Sequence, residues 1–99
     1  MYEMQYMPQA KKYFKKIKEK QLKALYRDAL KIISTDPYNA GEKKTGTLAG
    51  LYCRDIYYNK TNYEIAYRIY EKNEKCVVVI LAGTRENFYT ELKRYMNLR

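Results

Sequence analysis

The apolar residues of this chain change their spacing near the middle, from a helical period to a period of two, and that change decides the fold class. From Ala10 to Ile33 they recur with a helical period. Ala10, Tyr13, Phe14 and Ile17 fall at i, i+3, i+4 and i+7, and Leu22, Leu25, Tyr26, Ala29, Leu30 and Ile33 form a longer, cleaner stripe. Pro8 suits the first turn of the earlier segment, and the later one stops at Ser34-Thr35-Asp36-Pro37. A break near Lys20 separates them, so together they predict a helical hairpin with one shared apolar face.

Beyond residues 38–50, an ordered loop holding three of the four glycines, the period falls to two. Tyr52–Tyr58 and Tyr63–Tyr70 are rich in aromatic and β-branched residues and flank the turn-like Asn59-Lys60-Thr61-Asn62. A second polar turn, Glu71–Lys75, leads into the continuous apolar run Cys76–Ala82, so the three runs predict an antiparallel meander. Tyr2, Met4 and Tyr6 alternate with polar residues as a short strand at the start of the chain. Thr84 is placed to cap a last helix striped by Phe88, Leu92, Tyr95 and Met96. The expected order is β-α-α-β-β-β-α: an α+β domain over residues 1–99 in which helices pack on a small antiparallel sheet.

Composition narrows what such a domain can do. The 20 Lys+Arg against 11 Asp+Glu leave a formal charge of +9, which on a folded surface favours a polyanionic partner. The chain has no histidine, which excludes His-based triads and histidine-ligated zinc chemistry. Cys53 and Cys76 are too far apart for a metal pair and read as reduced thiols; no metal and no cofactor are expected. The longest apolar run, seven residues, is far below the roughly 20 that span a bilayer. The start of the chain lacks the pattern of a signal peptide, so a cytoplasmic protein without membrane contact is expected.

Without histidine, acid and base work falls to Lys, Arg, Tyr, Asp or Glu. Clustered cations depress a lysine pKa and stabilise the dianionic phosphorane formed when an RNA 2′-hydroxyl attacks its own phosphodiester. RNA brings that nucleophile with it, so a protein need only align the groups and help the leaving oxygen gain a proton. Arg85 and Tyr89 are the most pointed candidates, four apart at the expected start of the last helix, where free amides favour phosphate. Their plainer reading is a surface charge and a cover for the sheet edge. Arg54 and Arg68 lie mid-strand as phosphate contacts, with a cross-strand ion pair the alternative for Arg68. Glu42, Lys43 and Lys44 stand in the loop before the meander, as a functional loop or as a solvated charge cluster. Lys11, Lys12, Lys15 and Lys16 cover the outer face of the first helix as a salt-sensitive guide to nucleic acid.

The order of elements and several segments resemble the RelE/ParE toxin superfamily of bacterial toxin-antitoxin modules. The segments are Met7-Pro8-Gln9-Ala10 at the hairpin, Leu48-Ala49-Gly50-Leu51-Tyr52 before the meander, Tyr63-Glu64-Ile65-Ala66-Tyr67, and Leu81 to Tyr89 with its Gly-x-Arg-(x)3-Tyr spacing. The resemblance to the RelE branch implies a ribosome-dependent endoribonuclease that cuts mRNA in the A site. On that basis Arg85 serves phosphate stabilisation or leaving-group protonation, Tyr89 orients the substrate, and Glu42 is the general base, with Lys43 or Lys44 as substitute. The implied partners are the ribosome, mRNA and a small acidic antitoxin. Two departures stand out. Glu64 occupies the place where the family commonly has an arginine, and Arg68, on the same strand face, lies roughly 13 Å further along. Arg54-Asp55 stands where alternating basic residues are usual. The alternatives are a ParE-like inhibitor of DNA gyrase without RNase activity, and a toxin-like fold that only binds RNA or a partner.

Overall fold

The computed structural model describes residues 1–96. The chain runs β1 (Glu3–Tyr6), α1 (Pro8–Lys16), α2 (Lys20–Thr35), α3 (Pro37–Ala40), β2 (Glu42–Lys43), a short 3-10 turn (Gly46–Leu48), β3 (Leu51–Tyr58), β4 (Thr61–Tyr70), β5 (Cys76–Thr84) and α4 (Phe88–Tyr95). The five strands form one sheet in the order β1-β5-β4-β3-β2. The predicted meander is β3-β4-β5, turned between β3 and β4 by Asn59 and Lys60, both at positive φ.

The sheet separates two apolar clusters. On one face α1 and α2 bury Ala10, Ile17, Leu22, Tyr26, Ala29 and Ile33 against Ile56, Ile65, Tyr67, Val77, Val79 and Ala82. On the other, α4 lays Phe88 and Leu92 over Leu51, Cys53, Ala66, Ile80 and Leu81. Strand alternation therefore sends Tyr63, Ile65 and Tyr67 towards the hairpin, and Glu64, Ala66 and Arg68 towards α4. A β-bulge interrupts this parity on β5. Between the pairs Tyr67–Val79 and Ala66–Leu81 the extra residue Ile80 intervenes, so Ile80 and Leu81 share the α4 side before alternation resumes.

Three local expectations are corrected. The sheet is not wholly antiparallel, because β1 pairs in parallel with Cys76–Val79 of β5. Pro8, as expected, stands in the first turn of α1, which follows β1 directly. The segment 38–50 is more than a loop, since it carries the end of α3, the two-residue β2 and the 3-10 turn. Thr84 caps nothing: it is the last residue of β5, and α4 starts after Asn87, whose φ of 61° reverses the chain. The amide of Arg85 continues the ladder by donating to the carbonyl of Asn62 at 2.9 Å, which holds the chain extended past the predicted cap.

Candidate functional site

On the α4 face of the sheet, Asp55 of β3 lies directly opposite Glu64 of β4, which in turn lies opposite Gly83 of β5. Two carboxylates opposite one another on neighbouring strands repel, so the pair requires a cation. Arg85, two residues beyond Gly83, provides it. Its Nε donates to Oε2 of Glu64 and its Nη2 to Oδ2 of Asp55, each at 3.0 Å. The hydroxyl of Tyr89, in the first turn of α4, donates to the other Glu64 oxygen at 2.7 Å. The Glu64 side chain is wholly buried, whereas those of Arg85 and Asp55 are 50% and 61% exposed. Glu64 is thus the buried hub and Arg85 the guanidinium that closes it from the solvent side.

The loop before β3 adds a second ion pair to this face. Glu42 pairs in register with Cys53, and Lys44 donates to Glu42 at 2.8 Å while its Nζ lies 5.2 Å from the centre of the Tyr89 ring. The bond to Glu42 raises the Lys44 pKa, which keeps the ammonium charged. Burial, reinforced by the bond to Glu64, pushes the Tyr89 phenol up to about 12. Burial likewise pushes the Cys53 thiol up to about 12, against the reactivity of a thiolate. Hydrogen bonds to Glu64 and Asp55 raise Arg85 further. These shifts move proton exchange away from neutrality, the opposite of the tuning that serves acid-base catalysis. Arg85 and Lys44 also meet three carboxylates, Glu42, Asp55 and Glu64.

The fold therefore brings Arg85, Tyr89, Glu42 and Lys44 to one place but leaves the other candidates apart. Arg85 lies in the turn before α4, so its expected place on the helix N-terminus is corrected. Arg54 is on the hairpin side, alternating with Cys53 and Asp55, where its Nη1 donates to the carbonyl of Ala40 at 2.7 Å and steadies the end of α3. That bond and its place on the hairpin side set Arg54 apart from the cluster. Arg68 is on the α4 face, opposite Leu51 and Val78, and forms no ion pair among the described residues. The Nε atoms of Arg54 and Arg68 are both buried without a hydrogen-bond partner among the described residues. Lys43 pairs with Tyr52, one step out of phase with Glu42 and Lys44, and is exposed. Lys11, Lys12, Lys15 and Lys16 all lie exposed on α1. The hub role of Glu64 and the bridging role of Asp55 are additions to the sequence reading.

This architecture is that of the RelE toxins. The isolated RelE toxin of E. coli superposes with a TM-score of 0.66 at 18% identity, covering 97% of this chain and 99% of that one. The RelBE2 toxin-antitoxin complex of Mycobacterium tuberculosis gives 0.66 at 24% identity, covering 85% and 98%. A mutant of E. coli RelE with two arginines replaced by alanine, in the free state, gives 0.67 at 19% identity, covering 95% and 92%. No curated relative matches in sequence. A family profile described as the ParE-like toxin of type II bacterial toxin-antitoxin systems matches residues 4–93. The chain belongs to that family and is a RelE/ParE-type toxin.

Proposed function

We propose that this toxin acts by binding a macromolecular target, as a ParE-like inhibitor with DNA gyrase as the first target to test, rather than by cutting RNA. The observation that carries this reading is the wholly buried Glu64 holding both Arg85 and Tyr89. A phosphorane-stabilising site needs excess positive charge aimed at the scissile phosphate. Here the arginine best placed to supply it is spent on two carboxylates, and a buried carboxylate occupies the floor of the site. The family membership supports a cognate antitoxin as the neutralising partner, small and acidic against a chain of charge +9.

A second reading, the ribosome-dependent mRNA endoribonuclease, is favoured by the convergence of Arg85 and Tyr89 with Lys44 and Glu42. In that reading Arg85 leaves Asp55 for the phosphate, and Glu42 or Lys44 handles the proton of the 2′-hydroxyl. One pair of assays separates the two. Purified toxin is added to a translating extract, with transcript 5′ ends mapped by primer extension, and in parallel to a gyrase supercoiling reaction. Intact transcripts with inhibited supercoiling are expected. Codon-phased cuts that vanish with Arg85→Ala would replace this reading with the nuclease.

A further inference from the structure

The most exposed aromatic ring among the described residues belongs to Tyr57, at 66%. Strand alternation places it beside the Glu64 cluster. Tyr57 is two residues beyond Asp55 on β3, so it shares the α4 face with Asp55 and Glu64, while Ile56 and Tyr58 turn into the hairpin core. Across the sheet it lies opposite Asn62, whose carbonyl accepts from the amide of Arg85 at 2.9 Å. Tyr57 and Arg85 thus stand at the two ends of one row on this face, and Asp55 and Glu64 occupy the next row. The Tyr57 ring packs on no other aromatic ring among the described residues, so the fold does not account for it.

Two properties say what this corner of the sheet can hold. Its side chains are already ordered: Glu64 and Asp55 hold the Arg85 guanidinium, and a tyrosine has few rotamers, so a partner that covers them loses little freedom. Tyrosine and arginine are also the side chains that most often anchor one protein on another. The local charge runs against the rest of the molecule. Arg85 and Lys44 meet three carboxylates, Glu42, Asp55 and Glu64, an excess of one negative charge on a chain of +9. Asp55 gives only Oδ2 to Arg85 and is 61% exposed, so its Oδ1 stays open to a donor. We propose that Tyr57 anchors the toxin on its target, the ring entering an apolar pocket of a protein surface that also offers a lysine or arginine to Asp55. The assignment rests on the target-binding reading above and names the face that does the binding. A protein is the occupant because the phosphates of a nucleic acid would be repelled by Asp55 and Glu42.

The test is binding of the full chain to the DNA gyrase holoenzyme by surface plasmon resonance, beside the supercoiling assay. Tyr57→Ala is expected to weaken binding and inhibition by roughly tenfold or more, and Tyr57→Phe to keep most of both. Because Tyr57 is exposed, Tyr57→Ala should keep the wild-type Tm, which separates lost binding from lost folding. Asp55→Asn keeps an oxygen for Arg85 and removes the charge; it is expected to weaken binding, whereas a polyanionic partner would bind it more tightly. Tyr70→Ala, at an exposed tyrosine on the far end of β4, is expected to change nothing. If the wild-type chain inhibits gyrase and Tyr57→Ala inhibits it equally, the anchor is overturned and the target reading stands. Tighter binding by Asp55→Asn, or an equal loss with Tyr70→Ala, also overturns the anchor. A wild-type chain that neither binds nor inhibits gyrase removes the target reading and the anchor with it.

Discussion

Tyr89 donates its hydroxyl to Glu64 at 2.7 Å, so the first turn of α4 is fastened to the middle strand of the sheet by one polar bond. Because the acceptor is a wholly buried carboxylate, the bond is worth more than an exposed one. Tyr89→Phe keeps the ring against Phe88 and Lys44 and removes only the donor. It is expected to cost roughly 1–2 kcal/mol, read as a fall in Tm of several degrees by calorimetry. An unchanged Tm would show that the hydroxyl adds nothing to the fold.

Removing the guanidinium tests the same hub from its other side. Arg85→Ala leaves Asp55 and Glu64 facing one another without a cation, and is expected to lower Tm by more than Arg85→Lys, which keeps the charge. Adding Glu64→Gln to Arg85→Ala removes the repulsion and is expected to recover part of the loss. A double variant less stable than Arg85→Ala alone would contradict the counter-ion role.

Gly41 sits where the backbone passes closest to a buried tyrosine. A Cβ there would lie 2.6 Å from the Tyr67 hydroxyl and 2.9 Å from the carbonyl oxygen of Cys53. The tyrosine cannot yield freely, because its hydroxyl donates to the carbonyl of Pro37 at 2.7 Å. Gly41→Ala is therefore expected to cost about 1–3 kcal/mol in urea unfolding. It should also loosen the pairing of Glu42 with Cys53, seen as faster amide exchange in β2.

Alkaline pH should unfold the chain. Burial is the leading cause that raises the pKa of Tyr26, Tyr67 and Tyr89, the last to about 12 from 10. Between pH 10 and 12 the unfolded chain has lost those phenol protons while the folded chain keeps them, so the unfolded state binds fewer protons and stability falls as pH rises. The urea midpoint should hold up to about pH 10 and decline above it. Tyrosinate absorbance from these residues should appear together with unfolding. A midpoint rising through that range would reverse the sign.

The lysines of α1 are expected to govern salt dependence and leave the fold alone. Replacing Lys11, Lys12, Lys15 and Lys16 with Gln should leave Tm nearly unchanged, because all four are exposed. Any residual affinity for single-stranded RNA should fall, with the slope of log affinity against log salt shrinking by about 0.7 for each phosphate no longer neutralised. An unchanged slope would remove α1 from nucleic-acid binding.

The helical hairpin and the meander were legible because each is written in a local period: Ala10 to Ile33 in threes and fours, Tyr52 to Tyr70 in twos. The parallel seat of β1 was not, since it depends on which edge of β5 remains free after β4 has paired. Strand β5 takes in Thr84, the expected cap, because the bond from Arg85 to Asn62, across more than twenty residues of chain, outweighs a local capping preference. Within the site, Arg85 and Tyr89 stood out by spacing, but their common partner did not. Glu64 was visible as a departure from the family pattern. Its neighbours Tyr63, Ile65, Ala66 and Tyr67 could have shown it to be a carboxylate on a buried strand, which requires a nearby cation. The place of Arg54 was not legible, because strand parity alone does not tell which face meets α4.

The bulge at Ile80 governs how this gene tolerates insertions and deletions. Because Ile80 and Leu81 share one side of the sheet, every later residue of β5 is set one step out of phase with the residues before it. Loss of the one codon for Ile80 would restore regular alternation and keep Arg85 on the side of Glu64, because Val79 and Leu81 already pair with the adjacent residues Tyr67 and Ala66. Loss of a second codon would turn Arg85 towards the helical hairpin, stranding Glu64 and Asp55 together without their cation. The reading frame of the protein can thus remain intact while its geometric frame is broken, so the shortened variants that survive here should lack the bulge residue alone.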